Sequence, residues 1–159
     1  MSESEPTLVK NPAKVVVVHP ERSAALILHL EAEERRKRGI DEWHLPGGCF
    51  ETDKDQTLED TAHREVSEET GGLQIRILGT LGTAGWDAYY EGEPAHFEAT
   101  FFQAEALPDE ATGRIPDIQT SQESDAAAWV SVRQLNDYPG LTTEARRYIT
   151  QALTGADHA

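Results

Sequence analysis

"LPGGCFETDKDQTLEDTAHREVSEETGG", Leu45 to Gly72, is the stretch on which the reading of this chain turns. Its second half has the marks of a helix. Thr57 is followed three residues later by Asp60, a weak capping box in which the hydroxyl takes a backbone N–H and the acid reaches back to the cap. Leu58, Thr61, Ala62 and Val66 lay a semi-apolar stripe at helical spacing. Gly71 is placed to take the left-handed conformation that ends a helix. Together these signals predict a helix over 58–70. Ahead of it, Pro46-Gly47-Gly48 follows a short apolar start at Trp43 and predicts a strand running into a turn whose backbone needs room.

The helix is electrostatically uncomfortable. Residues three and four apart are neighbours on a helix, so Glu65 lies beside both Glu68 and Glu69. Solvated like-charge pairs of this kind cost a few tenths of a kcal/mol each. The acids also sit toward the C-terminal end, where the helix dipole disfavours negative charge. A hard divalent cation would reverse the sign of the effect, since it selects carboxylate oxygens. Taken alone, the residues leave two readings open: a solvated acidic surface, or a face with a shared cationic partner.

Working outward, "KVVVVH" (Lys14 to His19) is a β-branched run typical of a buried strand. "PERS" is a turn, and "AALILHL" (Ala24 to Leu30) reads as the antiparallel partner. "EAEERRKRG" reads as a solvated loop or short helical turn. "LQIRILGTLG" alternates like a half-buried strand, and "WDAYYEGEPAHFEATFFQAEAL" reads as two strands about a turn at Glu91 to Pro94. A polar loop leads to the strand "AAAWVSV", and Ser131 is a candidate cap for "VRQLND". In the last segment Leu141, Ala145, Tyr148, Ile149 and Ala152 share one helical face. Strands, helix, strands, helix in one domain predict a mixed sheet with helices packed on it. Residues 1–11 and 155–159 are expected to be tails around a single domain at 12–154.

Charge and composition exclude some partners. The chain has 159 residues, with 14 Lys and Arg against 29 Asp and Glu, a net charge of −15. Phosphate backbones and anionic membranes repel such a chain, so neither nucleic acid nor a membrane is expected as a partner. A phosphorylated small molecule is compatible if cations bridge the two negative parties. Cys49 is the single cysteine, which rules out an intramolecular disulfide and suits a reducing cytoplasm. "MSESEPT" lacks the basic-then-apolar order of a secretory signal. The longest apolar runs, "VVVV" and "AALIL", are too short to span a bilayer. A cytoplasmic location is therefore expected.

With "LPGG" upstream, the segment resembles the signature of the Nudix hydrolases. That pattern runs glycine, five residues, glutamate, seven residues, then Arg-Glu-hydrophobic-any-Glu-Glu-any-Gly-hydrophobic. Arg64, Glu65, Val66, Glu68, Glu69 and Gly71 match its second half without a gap, and Gly48 matches the opening glycine. Two departures stand out. Fifteen residues separate Gly48 from Arg64 where the pattern has thirteen, and the pattern's first glutamate falls on Gln56. At the helix exit, Gly72 stands where the pattern has a hydrophobic residue, with Leu73 next.

The resemblance implies an α/β fold of mixed α+β character, an α/β/α sandwich about a central mixed sheet. It also implies roles. Glu65, Glu68, Glu69 and Glu123 would bind Mg²⁺, with Mn²⁺ as an alternative. Glu68, Glu65 and Arg64 would serve catalysis, Arg64 by orienting a helix carboxylate through a bidentate ion pair. Gly47 and Gly48 would let the backbone approach the metal and phosphates. Trp86, Tyr89 and Tyr90 offer rings that stack on a nucleobase or, equally, pack on the sheet. Trp43 reads as core, and His44 and His96 as strand residues with no zinc-ligand spacing. The implied activity is Mg²⁺-dependent hydrolysis of a nucleoside diphosphate linked to another moiety: a nucleotide, a dinucleoside polyphosphate or a nucleotide sugar. The rival is a nucleotide-binding sensor of the same fold, without hydrolysis. Either would act as a monomer or homodimer.

Overall fold

The computed structural model describes residues 8–38 and 42–155, apart from the side chains of Lys37 and Arg38. The expected tails at 1–7 and 156–159, and Gly39 at the end of the charge cluster, lie outside the described residues.

The sheet is organised by a long antiparallel ribbon. Two strands whose ranges are Ile75–Tyr90 and Glu93–Ala106, β6 and β7 in chain order, pair along their whole length. Their two-residue turn places Glu91 (φ 51°) and Gly92 (φ 81°) in the left-handed region, the geometry that matches the twist of a hairpin. The sequence suggested two strands where β6 is one. Register shifts between Ile77 and Gly79 and between Thr80 and Gly82 interrupt its alternation without ending it.

The other edge of β7 carries β1 (Leu8–Lys10) and β2 (Pro12–Val18), both parallel to it. Residues 8–10 are thus strand, not tail: their backbone finds partners at Ala95–Phe97. The hairpin expected between β2 and β3 (Ala25–Leu30) is almost absent, reduced to the pair Val18↔Ala25. The two strands splay apart beyond that point. β3 instead pairs antiparallel with β8 (Ser124–Val130) and with β4 (Trp43–His44).

The splay is what makes room for a site. β5 (Gly47–Cys49) pairs with Pro12–Lys14 of β2, while β4 pairs with Leu28 and His29 of β3, so Trp43–Cys49 crosses the gap from one strand to the other. The Val15 N–H donates to the Pro46 carbonyl at 2.9 Å.

Alternating residues of the buried strands feed two cores. Val15, Val17, Leu26, Leu28 and Phe102 face α2 (Leu58–Thr70), meeting its Ala62 and Val66. Val16, Ala25, Ile27, Phe101 and Val130 face α3 (Thr143–Thr154), meeting Ala145, Tyr148 and Ile149. The result is an α/β/α sandwich about a mixed sheet. The charge cluster after β3 forms α1 (Ala32–Arg38), and Val132–Asp137 is a single 3₁₀ helix. Helix α2 begins and ends where its local signals say. Thr57 and Asp60 form the capping box, and Gly71 (φ 79°) closes the helix.

Candidate active site

The acids of α2 face the glycines of the crossing segment. The Gly47 N–H donates to Glu69 Oε1 at 2.8 Å, inside the protein. A side chain on Gly47, whose φ is +150°, would stand 2.1 Å from the Ala13 carbonyl oxygen. A side chain on Gly48 would stand 2.4–2.6 Å from the carboxylate atoms of Glu65. Gly47 is therefore needed for strand contact, and Gly48 is the seat of Glu65.

Arg64 ties the loop to the helix. Its Nε and Nη2 donate to the two oxygens of Asp55 at 2.9 and 2.7 Å, and its Nη1 donates to Glu65 Oε2 at 3.0 Å. Nη2 also donates to the Cys49 carbonyl at 3.3 Å. Glu51 and Glu68 each place an oxygen 3.5 Å from Nη1. Asp55 accepts further from the Thr61 hydroxyl and the Glu51 N–H. The Arg64 guanidinium, against the cost of burial, holds the Asp55 carboxyl well below its ordinary range; Asp55 in turn raises Arg64.

The other carboxylates shift the opposite way. Burial raises Glu65; Arg64 opposes it, while Glu68 and Glu123 add to it. Burial likewise pushes Glu69 up to about 8, opposed by the Gly47 N–H and by Lys14, and reinforced by Glu65 and Glu123. Glu123, in the loop before β8, is thus brought within electrostatic reach of both helix acids across more than fifty residues of chain. Glu68 is exposed. The acids are gathered but not closed into a cage: among the described residues no three His, Cys, Asp or Glu side chains form a group ready to hold an ion.

The pattern of glycines, arginine and acids extends beyond one segment. A family profile described as the NUDIX domain matches residues 10–153. The chain belongs to the Nudix hydrolase family. As a Nudix protein it is a hydrolase acting on phosphoric anhydride bonds. A search of curated proteins finds no significant match. Solved structures do match. A MutT protein from Methanosarcina mazei Go1 is 20% identical, with 96% of this chain and 98% of that one covered and a TM-score of 0.69. An Ap4A hydrolase from C. elegans is 18% identical over 92% and 99%, with a TM-score of 0.65. The dihydroneopterin triphosphate pyrophosphohydrolase of E. coli is 18% identical over 94% and 100%, with a TM-score of 0.65. At these identities the likeness speaks to the fold.

Within the Nudix box, one expectation needs correcting. The bidentate partner of Arg64 is Asp55 in the loop, and the helix carboxylate Glu65 receives a single hydrogen bond. The lengthened loop returns to the helix so that Asp55, beside Gln56, faces the guanidinium. Asp55, Glu51 and Lys14 were not singled out from the sequence. For Asp55 a signal existed, an acid next to the position where the pattern wants one. For Lys14 the only signal is a charge opening a buried strand.

The aromatic candidates lie on the β6–β7 ribbon. Trp86 stacks on Phe97 with ring centroids 5.7 Å apart and packs with the core on the α3 face. Lys10 Nζ sits 4.2 Å from the centroid of the Tyr90 ring, and Tyr89 is 61% exposed. Trp43 packs between His29 and Tyr138. No described helix is long and apolar enough to cross a membrane.

Proposed function

We propose that this Nudix hydrolase is a Mg²⁺-dependent pyrophosphohydrolase, with Mn²⁺ as an alternative ion, that cleaves a nucleoside diphosphate linked to another moiety. One observation carries the reading: Glu65 and Glu69 gather at the Gly47–Gly48 backbone, where burial and neighbouring acids, Glu123 among them, raise both. Desolvated acids that repel are costly unless a cation shares them. The donors are all oxygens, which suits a hard divalent ion. Glu65, Glu68, Glu69 and Glu123 would hold it, and when bound it would neutralise the diphosphate and acidify the attacking water.

The chain's own residues do the rest. Arg64 holds Oε2 of Glu65, and Gly48 leaves space for that carboxylate. Burial makes both Glu65 and Glu69 stronger bases than an exposed carboxylate, and Glu65, only partly buried where Glu69 is enclosed, is the one a water can reach to give up its proton. The water oxygen bonds to phosphorus, the bridging P–O bond breaks, and the second phosphate leaves with its charge. Of the three rings Tyr89 is the exposed one and would be the one to receive a base; Trp86 and Tyr90 are engaged with Phe97 and Lys10.

A sensor without hydrolysis would be favoured by Gln56, which stands where the pattern has a glutamate. Asp55 weakens that reading by supplying the missing charge to Arg64. The deciding experiment assays nucleoside triphosphates, dinucleoside polyphosphates and nucleotide sugars with Mg²⁺, wild type beside Glu65→Gln. Turnover in the first and its loss in the second is expected. Nucleotide binding without turnover on any compound would favour the sensor.

A further inference from the structure

Glu123 immediately precedes β8, a strand that is irregular at its start. In the β3–β8 pairing His29 faces Ala126 and Leu30 faces Ser124, which leaves Asp125 as an extra residue. A bulge bends its strand and re-aims neighbouring side chains. Asp125 is held in place: its Oδ1 bonds to Nδ1 of His29, whose Nε2 bonds to Glu42 Oε2 at 3.2 Å. The ring is fixed by Trp43, centroids 4.8 Å apart. The backbone is held as well, the Glu31 N–H donating to the Glu123 carbonyl and the Leu30 N–H to that of Glu42, each at 2.9 Å. The end of β3 thus grips both flanks of Glu123, its own carbonyl through Glu31 and the bulge through His29.

We propose that His29 and Asp125 are positioning residues that fix the bulge and thereby aim Glu123 at the carboxylates of α2. The inference rests on the reading of Glu123 as a cation ligand. The two ring nitrogens of His29 point apart, which lets one side chain join the bulge to Glu42 across β3.

The test is a cycle read on Mn²⁺ affinity by electron paramagnetic resonance, without substrate, and on kcat. The variants are Asp125→Ala, Glu123→Gln and the pair together. Asp125→Ala alone should weaken Mn²⁺ binding by about tenfold. In the Glu123→Gln background it should change affinity by less than about twofold. His29→Gln should retain more affinity than His29→Ala. A loss of equal size in both backgrounds, which a merely loosened fold would give, overturns the proposal. Wild-type Mn²⁺ affinity in Glu123→Gln sinks the parent reading and this one with it, and that result is recognisable from the single variant.

Discussion

Asp55 and Glu69 are equally hidden from solvent, each 4% exposed, yet they titrate in opposite directions. Two guanidinium nitrogens, the Thr61 hydroxyl and the Glu51 N–H meet the oxygens of Asp55. Glu69 accepts from the Gly47 N–H, with Lys14 in favour and two acids against. Shielding alone therefore does not mark function. Asp55 is a completed ion pair that holds the loop on the helix. Glu69 is a carboxylate for which Lys14 and the Gly47 N–H do not offset burial and two neighbouring acids, which a structural role does not explain.

The largest effect should come from breaking the completed pair. Asp55→Ala leaves Arg64 shielded without its main partner and should cost about 3 kcal/mol of stability in urea unfolding. Near-wild-type stability would mean that Glu51 or Glu68, both already 3.5 Å from Nη1, takes over, and the contrast would lose one side.

Glu69→Gln should do the reverse. The amide oxygen keeps an acceptor for the Gly47 N–H while the charge goes. Metal-free stability at neutral pH should hold or rise, and kcat should fall by roughly 100-fold. A variant that unfolds easily but hydrolyses normally would make Glu69 structural.

The same pair gives opposite pH signatures in metal-free protein. Asp55 has a lowered folded pKa, so its contribution is present above the ordinary carboxylate range and lost only in strong acid. Glu69 is raised from 4.5 to about 8, so the folded state holds a proton that the unfolded state has released. Stability should therefore be fullest below pH 4.5 as far as Glu69 is concerned, and should decline between there and about 8. The decline should be a few kcal/mol, with about 5 kcal/mol as its upper bound. Urea midpoints across that window check it, and Glu69→Gln should flatten the slope.

What the sequence disclosed follows the range of the interactions. Helix α2 was legible to its ends because Thr57, Asp60 and Gly71 act within one turn. The acids were legible because their repulsion is a neighbour effect on one helix. The choice of Asp55 by Arg64 was not, since the path of a lengthened loop decides it. Nor was the splay of β2 from β3: a β-branched run and an apolar run with a turn between them look like a hairpin, whatever β5 and β7 offer β2 instead. The unity of β6 was hidden by the bulges that break its alternation.

Gly48→Ala sharpens the contrast from the active-site side. The three atoms nearest its methyl would all belong to the Glu65 carboxylate, so the acid must move while the fold has a way to yield. The expectation is a loss of about tenfold in kcat, with little change in urea midpoint. A large drop in stability with kcat intact would place the glycine in strand packing, the role the structure gives to Gly47.

The smallest effect tests whether the two ends of α2 are separable. The Thr57 hydroxyl accepts from the Asp60 N–H, and Asp60 takes the Gln56 and Thr57 N–H groups in return. Thr57→Ala removes half of that exchange and should cost about 1 kcal/mol in urea unfolding. The cap lies two turns from Glu65, and packing of Ala62 and Val66 holds the helix between them, so kcat should not change. A fall in kcat matching the loss of stability would mean that the helix start transmits to the acids through Asp55 and Arg64. The completed pair would then belong to the catalytic apparatus, and the line drawn between Asp55 and Glu69 would have to be moved.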